Sequence, residues 1–389
     1  MYKKVFYLCL LALLSACGKH EENQIESKYS ITFDDRNVVD VRDLVTDLEI
    51  IELDTATKAL IPSLVDISVH GNKIFCHNNK ESGNIKVFDL SGKYLYQISH
   101  TGRASNEWIQ LTSMNINEKE NAIYLTDSRS KKVLTYNMDG KFVKSMILGD
   151  YFCFEVTHDD GYYYSLTHPY MSGWTPDEHT DHKIDIYDDN GKFVAEDVPM
   201  KLNDARIGEM SDRKFYMGQE RCILSPSMDN TVYELSDGKC IPYITYDYQG
   251  KTPMYDEKDI QEAIDNKKWM CGVDKTFYSG KVVESSELVI RRMGDYDSKD
   301  IIFNKSNGKV VVTAFDSDIQ SQTHLSDYFL YPLPKCYADG YFYGHLDVEL
   351  LGLPEQYTDG YIPKCLEAIA ERAKQGKINN VLVRYKIKA

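Results

Sequence analysis

The chain has 389 residues and sets 60 acidic side chains against 45 basic ones, a formal charge of −15. That balance speaks against a nucleic-acid partner, which calls for basic patches, and acidic excess of this kind ordinarily serves solubility. The length suits one large β-domain or two ordinary domains, and 29 tyrosines suit strands.

At the amino terminus, Lys3 and Lys4 precede Val5–Leu14, ten residues without a charge. This run fits the apolar core of a secretory signal and falls short of the ~20 apolar residues that span a bilayer. It ends in Leu14-Ser15-Ala16-Cys17, which resembles the lipobox of bacterial lipoproteins, a small residue before an obligate cysteine. The resemblance implies that residues 1–17 are a signal peptide and lipobox, that cleavage falls before Cys17, and that Cys17 is acylated. Several acyl chains on one residue anchor stably, since each buried methylene contributes about 0.8 kcal/mol. Gly18-Lys19-His20-Glu21-Glu22-Asn23-Gln24 opens a flexible tether expected over 18–45. A basic residue followed by paired acids also resembles the surface-export signal of some Gram-negative lipoproteins. The expected location is the outer membrane, facing the periplasm or the cell surface.

Seven cysteines follow the anchor: Cys76, Cys153, Cys222, Cys240, Cys271, Cys336 and Cys365. They are odd in number, widely spaced, and never form CxxC, so no zinc ribbon or redox motif is present. They read as buried thiols acting as small apolar residues, with one or two disulfides left open.

Self-similarity sets the fold class. Ile85–Ile98 runs as an alternating strand, a tight turn and a return strand. The pattern recurs in Val133–Met146, Ile184–Val194, Thr231–Ile244 and, more weakly, Ile301–Thr313. The turn glycines Gly92, Gly140, Gly191, Gly238 and Gly308 stand 48, 51, 47 and 70 residues apart. Each follows Ser, Asp or Asn, as a hairpin needing positive φ requires. Further apolar strands lie upstream at Lys73–Cys76, Ala122–Thr126 and Tyr162–Leu166. Four strands in about 50 residues make a propeller blade, and blades stack because a small sheet cannot bury both faces alone.

The 70-residue step carries a helix expected over 256–270, with Ile260, Ala263, Ile264 and Lys267 at helical spacing. A second helix is expected over 363–375: Pro363 in its first turn, Leu366, Ile369, Ala370 and Ala373 on one face, Gly376 as its stop. Tyr341–Val348 and Val381–Lys388 supply part of a sixth blade, and the early strand Leu48–Asp54 is expected to complete it and close the ring. The expectation is an all-β chain, with residues 46–389 forming a six-bladed β-propeller of four-stranded antiparallel blades and two short helical insertions.

These residues resemble the six-bladed β-propeller lipoproteins of Bacteroidetes-type bacteria, distant relatives of NHL-repeat propellers. The likeness rests on Leu48-Glu-Ile-Ile-Glu-Leu53, Val87-Phe-Asp-Leu-Ser-Gly-Lys93, Thr101–Trp108, Asn230-Thr-Val-Tyr-Glu-Leu235 with Tyr246-Asp-Tyr248, and Asn380-Val-Leu-Val-Arg-Tyr-Lys386. It covers nearly all of the mature chain. It departs at Ala104-Ser105-Asn106, where that family tends to have Gly and Pro. It implies fold and location more than chemistry.

No GxGxxG, GxxxxGK[ST], HExxH, GxSxG or EF-hand loop occurs, which speaks against dehydrogenases, NTPases, zincins and α/β-hydrolases. No cofactor and no metal is assigned. A propeller enzyme is still open, because such sites are assembled from several blades. Two segments hold candidate ligand-binding residues. His168–His182 reads as a long irregular loop inside a blade, a kind that often carries function. There Tyr170 and Trp174 suit stacking on a sugar ring, and His179 and His182 suit polar contacts or, with Asp181, a metal; the plainer reading is a solvated loop. His100–Trp108 offers Arg103 and Glu107 to the central channel, Arg suiting a carboxylate or phosphate. The plainer reading there is an interblade ion pair with Trp108 packed between sheets. Within Glu287–Met293, Arg291 and Arg292 point to opposite strand faces, one towards the channel or both into salt bridges.

The expected function is an envelope-anchored binding or scaffolding module for a glycan, a peptide or an envelope protein, held to the membrane through Cys17. The alternative is a lyase or hydrolase with its active site at the central channel, which rests on fold analogy alone.

Overall fold

The computed structural model describes residues 26–33, 38–39, 43–149, 153–167, 182–199, 214–218, 220–226, 229–249, 282–293, 299–314, 332, 334–346, 348 and 366–388. Three strands open the chain: β1 (Tyr29–Thr32), β2 (Val38–Val39) and β3 (Val45–Glu52). Blade 1 follows with β4 (Leu64–His70), β5 (Lys73–Asn78), β6 (Asn84–Asp89) and β7 (Tyr94–Ile98). Blade 2 holds β8 (Leu111–Asn117), β9 (Ala122–Asp127), β10 (Lys132–Asn137) and β11 (Phe142–Ile147). Blade 3 holds β12 (Cys153–Asp159), β13 (Tyr162–Thr167), β14 (His182–Asp188) and β15 (Phe193–Pro199). Blade 4 holds β16 (Phe215–Met217), β17 (Cys222–Leu224), β18 (Thr231–Ser236) and β19 (Lys239–Asp247). Blade 5 holds β20 (Val282–Glu284), β21 (Leu288–Met293), β22 (Lys299–Asn304) and β23 (Val310–Ala314). Blade 6 holds β24 (Pro334–Ala338), β25 (Tyr341–Leu346) and β26 (Val381–Ile387), and takes β3 as its fourth strand.

The fold is a six-bladed β-propeller of antiparallel four-stranded sheets. β3 pairs with β26 from Glu52 opposite Val381 to Val45 opposite Ile387, so the early strand closes the ring as expected. Buried Asn379 and Asn380 add to the closure. Asn379 accepts the Ile61 N–H at 2.9 Å, and the Asn380 amide donates to the Ile61 carbonyl at 2.9 Å.

Middle strands explain the stacking. β9 is buried along its whole length, so both of its faces need cover. The core is accordingly a set of layers between blades. Phe75, Trp108, Met114, Leu125 and Tyr136 fill the seam between blades 1 and 2. Tyr124, Val133, Val156 and Tyr163 fill the next, and Tyr164, Ile186, Phe215 and Leu224 the one after. A larger cluster runs through blades 4, 5 and 6, and Ile51, Val69, Ile74, Tyr343 and Leu382 complete the circle.

The repeated turn has two causes. Asp89 Oδ1 accepts the N–H groups of Ser91 and Lys93 at 2.9 and 3.0 Å, and Asn137 and Asp188 do the same in blades 2 and 3. Gly140 has φ +74°, and a Cβ there would stand 2.7 Å from the Tyr96 ring of blade 1. The turn therefore needs glycine both for its backbone and for the fit of one blade against another.

Part of the expected tether is laid on the propeller. β1 runs parallel to β19, Tyr29 opposite Ile244, and β2 runs parallel to β23, Val38 opposite Val312. Within the tether expected over 18–45, Tyr29–Thr32 and Val38–Val39 are thus strands of the propeller, and 18–25 lie outside the described residues. The cause is the alternation in Tyr29-Ser-Ile-Thr-Phe33, where Ile31 and Phe33 are buried.

The helix expected over 363–375 is present as α1 (Glu367–Lys374), with Leu366, Ile369 and Ala370 buried. Gly376, at φ +63°, ends it. The N–H groups of Gly376 and Lys377 bond the carbonyls of Ala373 and Arg372, a Schellman arrangement. Pro363 and the helix expected over 256–270 lie outside the described residues. Cys76, Cys153, Cys222, Cys240 and Cys336 are buried thiols that form no disulfide among the described residues, and burial pushes the Cys153 thiol up to about 12; Cys271 and Cys365 lie outside the described residues.

Strand direction alternates within each blade, so the connections sort to two ends of the ring. First-to-second and third-to-fourth turns share one end, where the longest is 305–309. Second-to-third turns and passages between blades share the other. From that end leave 99–110, 168–181, 200–214, 248–281, 315–333 and 347–380.

Candidate functional site

Both candidate segments belong to the long-loop end. Residues 99–110 pass from β7 to β8, and 168–181 join β13 to β14. Tyr170, Trp174 and His179 lie outside the described residues, as does Cys17; His182 is the first residue of β14.

The passage from blade 1 to blade 2 is a braced loop. The Trp108 ring is fully buried in the seam, and its indole N–H donates to the Ser82 carbonyl at 3.0 Å. His100 and Trp108 are bonded at 2.9 Å, and Gly102 N–H donates to the Trp108 carbonyl at 2.9 Å. Blade 2 props the loop from beneath. Tyr136 Oη donates to the Asn106 carbonyl at 2.9 Å, and Lys132 Nζ to the carbonyls of Ala104, at 3.0 Å, and Glu107. Burial lowers the Lys132 pKa, with Asp127 and Glu107 pulling the other way. Glu107 shapes the loop: its carboxylate accepts the Ala104 N–H at 2.9 Å and occupies the space where a Gly102 Cβ would stand. Arg103, Ala104 and Ser105 form the exposed tip. The three candidates of this segment are thus divided. Trp108 packs between sheets, Glu107 serves its own loop, and Arg103 faces solvent on a rigid base.

First strands face the axis. Asp66 and Ser68 of blade 1, Asn115 and Glu118 of blade 2, Tyr216 and Met217 of blade 4, and Lys335 and Tyr337 of blade 6 line one cavity of about 30 Å³. One water needs about 10–15 Å³ on that scale, so the cavity holds a water or two. Side chains from four blades thus meet at this cavity.

Charges nearby are paired. Glu284 of β20 accepts from Tyr243 Oη at 2.6 Å and Lys305 Nζ at 2.7 Å, with Arg221 Nε 3.2 Å from its other oxygen. Arg221 also meets Glu234 at 2.9 Å. Opposite charges in contact are what make such burial tolerable. Arg291 and Arg292 do take opposite faces. Arg291 is buried against blade 4, 4.7 Å from the Tyr246 ring and 2.8 Å from the Asp229 carbonyl. Arg292 forks the buried Asp300 at 2.8 and 3.0 Å.

Sequence reasoning missed the Glu284 network and a histidine held between two carboxylates, His158 with Glu120 and Asp189. Glu120 and Asp189 lie in tight turns at strand ends, and no local pattern joins them to His158. Among the described residues, no group of three or more His, Cys, Asp or Glu is placed to hold a metal ion.

The model of a domain of unknown function, DUF4934, matches residues 26–375, a span that takes in β1 to β25. The chain belongs to the DUF4934 family. Among solved structures, a protein from Bacteroides fragilis inferred to be exported superposes with a TM-score of 0.70 at 17% identity, over 93% of this chain and 99% of that one. A member of the DUF4221 family from Bacteroides vulgatus superposes with a TM-score of 0.51 at 11% identity, over 89% and 98% of the two chains. At these identities the likeness is one of fold. No curated protein matches the chain.

Proposed function

We propose that this DUF4934 protein is an extracytoplasmic binding or scaffolding module, tethered to the outer membrane through lipid on Cys17, which takes a glycan, peptide or envelope protein at the long-loop end of its ring. The observation that carries the reading is the one-sided distribution of connections: scaffold turns at one end, long segments at the other, a common arrangement of binding sites. The braced Arg103 tip supports it, since a preorganised contact loses little entropy on binding. The relative from Bacteroides fragilis and the lipobox-like Leu14–Cys17 support export.

The test uses the full mature chain with Cys17→Ser, screened against soluble polysaccharides, peptide libraries and solubilised envelope proteins. Arg103→Ala and Trp174→Ala are expected to weaken capture at least tenfold, and Lys119→Ala, at the opposite end, to leave it unchanged. Capture that survives both long-loop changes and fails with Lys119→Ala refutes the reading. The anchor is checked separately by mass spectrometry: an acylated amino-terminal Cys17 peptide is expected from membranes, and Cys17→Ala should move the protein to the soluble fraction.

A further inference from the structure

One buried titratable group plays no part at the long-loop end. His158 lies near the end of β12, at the short-turn end, with its side chain 7% exposed. Its Nδ1 is 2.8 Å from both carboxylate oxygens of Glu120, in the β8–β9 turn of blade 2. Its Nε2 is 2.8 Å from Asp189 Oδ1, in the β14–β15 turn of blade 3. A neutral imidazole has one N–H, and an ionised carboxylate only accepts. Both contacts are satisfied together only by the imidazolium form.

The surrounding groups fit that form. Tyr124 of β9 donates its hydroxyl to Glu120 and stacks on the imidazole at 5.2 Å. The Tyr163 ring of β13 lies 4.4 Å away. Lys144 of β11 sits over Tyr163 at 5.5 Å and is drawn electrostatically to Asp189 and Glu120. Asp159, next along β12, has Lys119 at 3.8 Å. Two carboxylates against the Lys144 ammonium leave one negative charge, which the imidazolium balances.

We propose that His158 is a charged clamp between blades 2 and 3, an imidazolium gripped by Glu120 and Asp189, and that its deprotonation loosens this seam at the short-turn end. Burial by itself favours the neutral ring, but Glu120 and Asp189 outweigh it and carry the His158 pKa above the ordinary 6.5. A raised folded-state pKa gives stability that is complete below the unfolded value and lost as pH rises through the folded one.

The experiment is NMR on the whole protein labelled with ¹⁵N-histidine. Both ring nitrogens of His158 are expected to be protonated on the acid side of a titration midpoint that lies above 6.5. The signal is assigned from its loss in His158→Gln or, if that variant does not fold, from the shifts caused by Glu120→Gln and Asp189→Asn. Each of these two changes is expected to lower the midpoint by about one pH unit or more. Amide exchange in Glu120–Tyr124 and Val156–Asp159, corrected for base catalysis, should quicken as His158 loses its proton. A midpoint at or below 6.5 overturns the proposal, as does a midpoint unmoved by both changes, or exchange that ignores the titration.

Discussion

Trp108 joins blade 1 to blade 2 twice over, through a ring sealed among Phe75, Leu111 and Tyr136 and through an indole N–H bonded to Ser82. Trp108→Ala is expected to cost about 3–5 kcal/mol, the range for emptying a large buried aromatic. Trp108→Phe keeps most of the packing and removes one hydrogen bond, while the Ser82 carbonyl keeps the Leu111 N–H at 3.0 Å, so it is expected to cost about 0.5–1.5 kcal/mol. Urea unfolding midpoints check both, and a Trp108→Phe midpoint equal to that of the unchanged protein would show that the hydrogen bond is immaterial. The turn glycines allow a sharper comparison. Gly140 and Gly308 share a positive φ, +74° and +72°, but a Cβ at Gly140 meets the Tyr96 ring while none at Gly308 meets anything within 4 Å. Gly308→Ala should therefore cost about 1–2 kcal/mol, the left-handed penalty alone, and Gly140→Ala distinctly more. Both glycines and Trp108 were legible because turn chemistry and a lone large aromatic are local signals. His158 was not: Glu120 stands 38 residues away and meets it only once blade 2 stacks on blade 3, and Asp189 stands 31 residues away across its own blade.

The strands β1 and β2 cover the outer edges of blades 4 and 5 just before β3 fills the outer place in blade 6. The amino-terminal segment is a belt over three consecutive blades. A chain starting at residue 41 keeps β3 and should still close its ring, but it bares the edges of β19 and β23, and open edges invite pairing between molecules. Retained β-sheet circular dichroism with increased association in light scattering is the expected result; an unchanged monomer would show that the belt is dispensable. A chain starting at residue 54 also leaves β26 without its partner and should lose cooperative unfolding. The closing strand was legible from its orphan status in the repeat count. The belt was not, because two and four residues of pairing leave too short a pattern among polar neighbours. The exposed Val143, Ile147, Phe193 and Val194 show that blades 2 and 3 place apolar side chains on their own outer strands.

Across the whole molecule, the repeat interval was enough to read blade number, blade content and ring closure, since each is dictated by one hairpin recurring along the chain. The sorting of connections into a short-turn end and a long-loop end follows from strand order alone and was equally open to reading. The lining of the cavity was not, because Asp66, Asn115, Tyr216 and Lys335 converge from four blades and share no local pattern. The pairing of Val45 with Ile387 has a consequence in time as well as in space. Synthesis delivers β3 long before β26, and long-range pairing is slow to form. Blades 1 to 5 can assemble while the ring still gapes, with β3 waiting unmatched until the final strand emerges. A chain stalled or clipped before Val381 would therefore remain an arc, exposing β25 at one lip and β3 as a loose end, which is a ready target for proteolysis and quality control.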